Sequence, residues 1–164
     1  MTTDYDAIET LRERLRESHL IAKSVRPPSS TRGFHHVALL CSDVERTVKF
    51  YAGLLEMPLT AMLDNRDYRG STHFFFDAGH GNLLGFFDLP GLDLAAYEEV
   101  LGGLHHIAIS VTPEKWAHLR AKLDEAHVEY VLESEVSLYF RDPDGARLEL
   151  LADPLGEMYG EVVG

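Results

Sequence analysis

The chain has 164 residues, 45% hydrophobic and 26% charged, ordinary values for one globular domain or for two small, intimately packed halves. A formal charge of −12 disfavours a nucleic-acid partner, which is held by clustered Lys and Arg, and no block of five or six like charges occurs. The single Cys41 excludes an intramolecular disulfide and suits a reducing compartment, the acidic start shows no secretory leader, and no apolar run approaches the ~20 residues of a membrane span. A cytoplasmic protein with neither a membrane nor a nucleic acid as partner is expected.

In chain order, residues 4–22 have the spacing of an amphipathic helix, with Ile8, Leu11 and Leu15 on one narrow stripe among charged neighbours. A stripe that narrow needs a surface to dock on, either the chain's own body or a partner subunit. Pro27, Pro28, Ser29 and Ser30 stop the helix and form a linker, so residues 1–32 are expected to stand apart from the rest. Residues 33–90 form a first module. Phe34 to Leu40, FHHVALL, is a strand; Ser42 and Glu45 make a capping box for a helix with Val44, Val48, Tyr51 and Leu55 on one face. Gly53 and Pro58 erode its end. Strands are expected over 72–76 and 82–87, joined by the turn residues 77–81, with a further edge over 62–68.

After a connector over 91–102, residues 103–153 repeat that order. Leu104 to Ser110 reads LHHIAIS, Thr112-Pro113 starts a helix carrying Trp116, Leu119 and Leu123, and strands follow over 128–132, 137–140 and 147–151. The last two are joined by the turn Asp142-Pro143-Asp144-Gly145. Pro154 ends the last strand, and residues 154–164 form a tail without a signal.

The repeat makes the chemistry readable. Alternation along a strand puts His36, Ala38 and Leu40 on one face and Val37 and Leu39 on the other; His106, Ala108 and Ser110 oppose Ile107, Ile109 and Val111. Each copy thus sets one histidine beside a small alanine. Placing Gly145 over Gly81 matches Leu148 to Leu84 and Glu149 to Gly85. A carboxylate between Leu148 and Leu150 calls for a partner or a metal, since charged side chains are rarely buried alone. His36, His106 and Glu149 are two imidazoles and one carboxylate, the ligand set of non-haem iron(II) oxygenases, which leaves one face of the metal open. The bland alternative makes both histidines satisfied strand residues and leaves Glu149 in solvent.

On these residues the sequence resembles the vicinal oxygen chelate superfamily, which includes glyoxalase I, bleomycin-resistance proteins, methylmalonyl-CoA epimerase and type I extradiol dioxygenases. The resemblance covers residues 33–153 and implies an α+β fold: two tandem βαβββ modules forming a cupped mixed sheet around a metal site, here with an N-terminal helix added. It implies His36, His106 and Glu149 as metal ligands. Glyoxalase- and epimerase-like members place Glu or Gln at the end of the first module, where Gly85 stands here and leaves the position vacant. Extradiol dioxygenases use only His, His and Glu, and their signature run fits Leu138-Tyr139-Phe140-Arg141-Asp142-Pro143-Asp144-Gly145 to Glu149. Tyr139 would then hydrogen-bond a substrate oxygen; otherwise it is a half-buried strand aromatic.

The acid–base histidine of that signature is missing, since Leu132, Val131 and Tyr130 occupy its positions. His73 and His80 are the candidates by proximity, with His73 preferred. His35 and His105 alternate away from the cavity, as outer or interface residues. His19, His118 and His127 belong on helix surfaces or ends. The resemblance implies a homodimer and a divalent metal, Fe(II) favoured, with Mn(II), Zn(II), Ni(II) or Co(II) as alternatives. Three functions follow. The first is an extradiol-type dioxygenase or related oxygenase acting on a small chelating substrate. The second is a metal-dependent lyase, isomerase or epimerase. The third is a non-catalytic binding module using Phe74, Phe75, Phe76, Phe86 and Phe87.

Overall fold

Asp4 starts the first helix, α1 (Tyr5–His19), by accepting a hydrogen bond from the Ala7 amide at 3.0 Å, and Leu20 ends it in an extended conformation. The helix is shorter than the hydropathy pattern suggests, and none of its residues is buried. Arg12 and Arg16 both bond Glu9 on its surface. The computed structural model describes residues 4–31, 33–158 and 161–162, and the chain divides after Gly33 into two units, with α1 in the first.

The second unit repeats one topology. β1 (His36–Leu40) leads into α2 (Val44–Val48), which continues as a π-helical stretch over Lys49–Leu54; β2 (Leu59–Asp64), β3 (Thr72–Asp77) and β4 (Leu83–Phe87) follow. β5 (Ile107–Ser110), α3 (Pro113–Glu125), β6 (Tyr130–Leu132), β7 (Ser137–Arg141) and β8 (Arg147–Leu151) run in the same order. The sheets are β1-β4-β3-β2 and β5-β8-β7-β6. The first and last strands of each module pair in parallel, and the other pairings are antiparallel. A parallel pair needs a long crossover, which the helix and two middle strands of each module provide. The registers are equivalent: Ala38 lies across from Gly85, and Ala108 across from Glu149.

The expected α+β fold of two βαβββ modules plus an N-terminal helix is therefore present. Among the described residues, however, no strand pairing joins the two sheets, so they do not close into one cup within the chain. One core serves both modules. Phe74, Phe76, Leu84 and Phe86 from the first sheet and Leu138, Phe140, Leu148 and Leu150 from the second are buried with Tyr51, Trp116, Leu119 and Leu123 from the helical segments. The alternate residues of the same strands form the opposite, open face of each sheet, as period-two patterning requires.

Polar ties also run between the modules. The Tyr51 hydroxyl donates to Asp142 at 3.0 Å. Glu56 meets Lys115, His118 and Lys122 of α3, and those hydrogen bonds, His118's foremost, pull its carboxyl down to about 2. Ser42 does not cap α2. Asp43 does so, accepting from the Arg46 amide, while the Ser42 amide and hydroxyl both donate to Asp144 in the β7–β8 turn. The predicted box fails because a tertiary partner outcompetes a local one. Two further departures concern strands. β2 begins earlier than expected and gives way to a turn in which the Asn65 amide bonds the Ser71 carbonyl. The tail adds a short antiparallel pair, β9 (Glu157–Met158) and β10 (Glu161–Val162).

Candidate functional site

The open face of the second sheet carries His106, Ser137, Tyr139, Arg141, Arg147, Glu149 and Leu151, the residues that alternate with the buried Leu138, Phe140, Leu148 and Leu150. Glu149 is only 4% exposed. Its Oε2 lies 3.3 Å from His106 Nε2, and its Oε1 accepts from the Ser137 hydroxyl. A carboxylate costs several kcal/mol to bury unless its oxygens are satisfied. Here one oxygen is held by a hydroxyl and the other is turned to an imidazole nitrogen. The Tyr139 ring stands 5.3 Å from the His106 ring, edge on, and the Arg147 guanidinium lies 4.5 Å from the Tyr139 ring centre. A cavity of about 270 Å³ opens on this group, lined by His106, Ser137, Tyr139, Glu149 and the tail residue Met158.

The open face of the first sheet carries His36, Ala38, His73, Phe75, Gly85 and Phe87. His73 stacks on Phe87 at 3.7 Å and leans against Phe75 at 4.2 Å; the His36 ring stands edge on to Phe75 at 5.9 Å. His73 Nε2 is buried with no hydrogen-bond partner among the described residues. Burial, with a smaller contribution from His36, pulls the His73 imidazole below its usual range, because the charged form is disfavoured there.

Gly85 does not leave the space above it open. A Cβ at this position would meet Phe75 Cε1 at 3.0 Å and His73 Nε2 at 3.6 Å. The place that Glu149 fills in the second module is thus taken in the first by an aromatic ring from the neighbouring strand, which corrects the expectation of a vacancy there. Gly85→Ala is expected to lower stability by about 1–3 kcal/mol through overpacking, partly offset by the backbone entropy an alanine saves. In a Phe75→Leu background most of that cost should vanish. Urea unfolding of the four chains measures the coupling, and equal stability of Gly85→Ala and the parent chain would refute the close approach.

His35 and His105 depart from simple alternation. Each precedes the regular strand, so its ring is free to swing, and each sets Nδ1 against the Nδ1 of the next histidine, at 2.9 Å for His35–His36 and 2.7 Å for His105–His106. In each pair one Nδ1 donates and the other accepts, according to the tautomer, and the other nitrogen of His106, Nε2, is the one turned to Glu149. His80 is an exposed turn residue with φ of 52°. His118 is taken by Glu56, and His19 and His127 are exposed.

The structure brings His106 and Glu149 together but not His36 with them. Among the described residues no three His, Cys, Asp or Glu side chains are close enough to hold one metal ion. His36 stands on the first sheet and the pair on the second, and the two sheets are not joined. Sequence reasoning missed Ser137 and Met158. Ser137 was accessible, since it lies two residues before Tyr139 on the same strand face; the tail gave no periodic signal.

Comparison with known proteins places this geometry in context. Residues 33–150 match the model of the Glyoxalase/Bleomycin resistance protein/Dioxygenase superfamily. Two Bacillus subtilis (strain 168) proteins are similar in sequence. "Putative ring-cleaving dioxygenase MhqA" is 29% identical over 136 residues, 78% of this chain and 42% of that protein. "Putative ring-cleaving dioxygenase MhqO" is 30% identical over 144 residues, 80% of this chain and 45% of that protein. The chain therefore spans under half the length of these curated relatives. Among solved structures, the trypanothione-dependent glyoxalase I of Leishmania major superposes with a TM-score of 0.61 at 25% identity, covering 74% of this chain and 86% of that one. With a family match across most of its length and the duplicated fold to accompany it, the chain belongs to the Glyoxalase/Bleomycin resistance protein/Dioxygenase superfamily.

Proposed function

We propose that this chain is a divalent-metal-dependent oxygenase of the ring-cleaving kind, acting on a small chelating aromatic substrate. The observation that carries this reading is the buried Glu149 carboxylate set 3.3 Å from His106 Nε2, two donors close enough to share one ion. His36 is the third ligand. Because His36 is not assembled with that pair inside one chain, the reading includes a homodimer in which His36 of one copy completes the His106–Glu149 pair of the other. An N,N,O set suits Fe(II), Mn(II), Co(II), Ni(II) or Zn(II), and Fe(II) is favoured because the proposed reaction needs a redox-active ion at a two-histidine, one-carboxylate site with open positions. The chemistry supplied by bound Fe(II) is electron transfer between a chelated substrate and dioxygen.

The chain's own groups then have defined tasks. Ser137 fixes the Glu149 carboxylate, and His105 fixes the His106 ring through the Nδ1 contact. Tyr139, beside His106, hydrogen-bonds a substrate oxygen. His73, neutral and with Nε2 unpartnered, takes and returns a substrate hydroxyl proton. Phe75 and Phe87 cover that nitrogen at rest, so the transfer requires the Phe75 ring to move aside.

A lyase or isomerase reading is favoured by the glyoxalase I match, which covers most of that chain. It requires a strong base opposite Glu149, and at that place the chain has the Phe75 ring over Gly85.

Elemental analysis after anaerobic purification tests the proposal. The expected result is about one iron per chain, lost in His106→Ala, with oxygen uptake when catechols are added. Stoichiometric zinc, nickel or cobalt with proton exchange but no oxygen uptake would replace the oxygenase by the lyase. No metal after reconstitution, with stoichiometric ligand binding, would leave a binding module.

A further inference from the structure

Beside the His106–Glu149 pair, the open face of the second sheet continues into a second and larger hollow. Arg141 and Arg147 lie directly across from each other on β7 and β8, in the row next to Tyr139 and Glu149. Both arginines and Tyr139 line a cleft of about 830 Å³, and Tyr139 also lines the smaller cavity holding His106 and Glu149. One aromatic side chain is thus the shared wall of two spaces, with an imidazole and a carboxylate on one side and two guanidinium groups on the other.

Each arginine has a ring beneath it, Tyr97 at 5.8 Å for Arg141 and Tyr139 at 4.5 Å for Arg147, and neither is held by a close carboxylate among the described residues. Arg141 is exposed, donates one bond to the Gly145 carbonyl at 2.7 Å and makes no ion pair among the described residues. Arg147 rests on the Tyr139 ring, and its nearest carboxylate oxygen, Glu99 Oε1, is 3.5 Å away, long for a charge-assisted bond. Glu129 and Glu133 also line the cleft, and His105 Nε2 lies 3.5 Å from Arg147. In a chain of net charge −12, two arginines that pair across β7 and β8 and line one cleft offer an anion a local site that the protein's overall field does not.

We propose that this cleft is an anion subsite and that the substrate carries a carboxylate, bound by Arg141 and Arg147, on the side of its ring remote from the chelating oxygens. The proposal rests on the oxygenase reading for the identity of the ring, but the subsite itself does not need the metal. His106 and Arg147 each touch Tyr139, at 5.3 and 4.5 Å, which places both within reach of a single substituted aromatic ring. A guanidinium fork suits a carboxylate's two oxygens, and a neutral substituent gains nothing from its charge.

The test is anaerobic titration calorimetry of the full chain with 3,4-dihydroxybenzoate and with its neutral isostere 3,4-dihydroxybenzamide. The carboxylate should bind about tenfold tighter or more, with a preference that shrinks as salt is raised. Arg141→Gln, and separately Arg147→Gln, should bring that ratio close to one while metal content stays at the parent level. Equal affinities in the parent chain, or variants that weaken both ligands alike, would overturn the subsite. Benzoate against benzamide on metal-stripped protein separates the two proposals. A surviving benzoate preference that Arg141→Gln abolishes keeps the subsite even if no oxygen is consumed. A lost preference with intact oxygen uptake removes the subsite and leaves the oxygenase.

Discussion

Co-expressing His36→Ala and Glu149→Gln chains, each inactive alone, should restore about a quarter of the parent activity and metal content per chain. The figure follows from symmetry. If each site takes His36 from one copy and His106 with Glu149 from the other, a mixed dimer builds one intact site and one doubly damaged one. Random pairing makes half of the dimers mixed, and half of their sites work. A site closed within one chain gives no rescue, because each chain carries its own defect wherever it pairs. The geometry favours rescue: the His106–Glu149 contact is formed within the second sheet, and His36 stands on a sheet with no strand pairing to it. Covalently marked chains separated by charge, with metal counted in the mixed species, provide the measurement. Absence of metal from the mixed dimer would refute a shared site. His105→Ala is a useful companion: losing a group that only orients His106 should weaken metal binding by about 10–100-fold without abolishing it.

Much of this arrangement was legible in the sequence because strands have a period of exactly two residues. LHHIAIS separates into a branched set packed on the core and a histidine–alanine set facing out, and in FHHVALL Leu39 follows the same rule while Val37 remains 36% exposed. Aligning the two glycine turns makes Glu149 the counterpart of Gly85, and the equivalent registers of Ala38 with Gly85 and Ala108 with Glu149 agree with that match. What stayed hidden depends on contacts between elements distant in sequence. Ser42 looks like a helix cap until Asp144, about a hundred residues later, takes its hydroxyl. Gly85 looks like a vacancy until the Phe75 ring is seen lying over it from the next strand. His35 and His105 look like outward residues until their rings turn back along the chain to the neighbouring histidine, a rotation open to them because each precedes regular pairing. Periodicity reports which face a side chain takes; it says nothing of whether two faces meet in one chain or across two.

Tyr51 joins the two modules through its hydroxyl, and Tyr51→Phe should cost about 1–3 kcal/mol through one orphaned oxygen. The ring is fully buried and packs on Phe86 at 4.8 Å, Phe50 at 5.2 Å and Phe76 at 5.3 Å. Its hydroxyl reaches Asp142 Oδ2, while Asp142 Oδ1 is already satisfied by the Asp144 and Ala146 amides. Burial and the adjacent carboxylate keep the phenol protonated, and so a donor, far beyond neutral pH. Burial also holds the Asp142 carboxyl above its usual range, because the charged form is disfavoured there, and the Ala146 amide and the Tyr51 hydroxyl oppose that rise. The sign of the pH dependence follows. An acid raised on folding favours the native state when protonated, and that advantage is lost as pH rises through its folded value. Removing the phenol raises the carboxyl further, so the deficit of Tyr51→Phe should be fullest near neutral pH and narrow as pH falls towards the ordinary carboxylate value of about 4. Tyr51→Ala adds a cavity, about 3–5 kcal/mol in all, against the roughly 5–15 kcal/mol that holds a domain of this kind together. Because Tyr51 lies in the first module and Asp142 in the second, both variants should lower a single cooperative urea transition measured between pH 4 and 8. A pH-independent deficit would remove Asp142 from the account, and two separate transitions would show that the modules do not share the core that surrounds Tyr51.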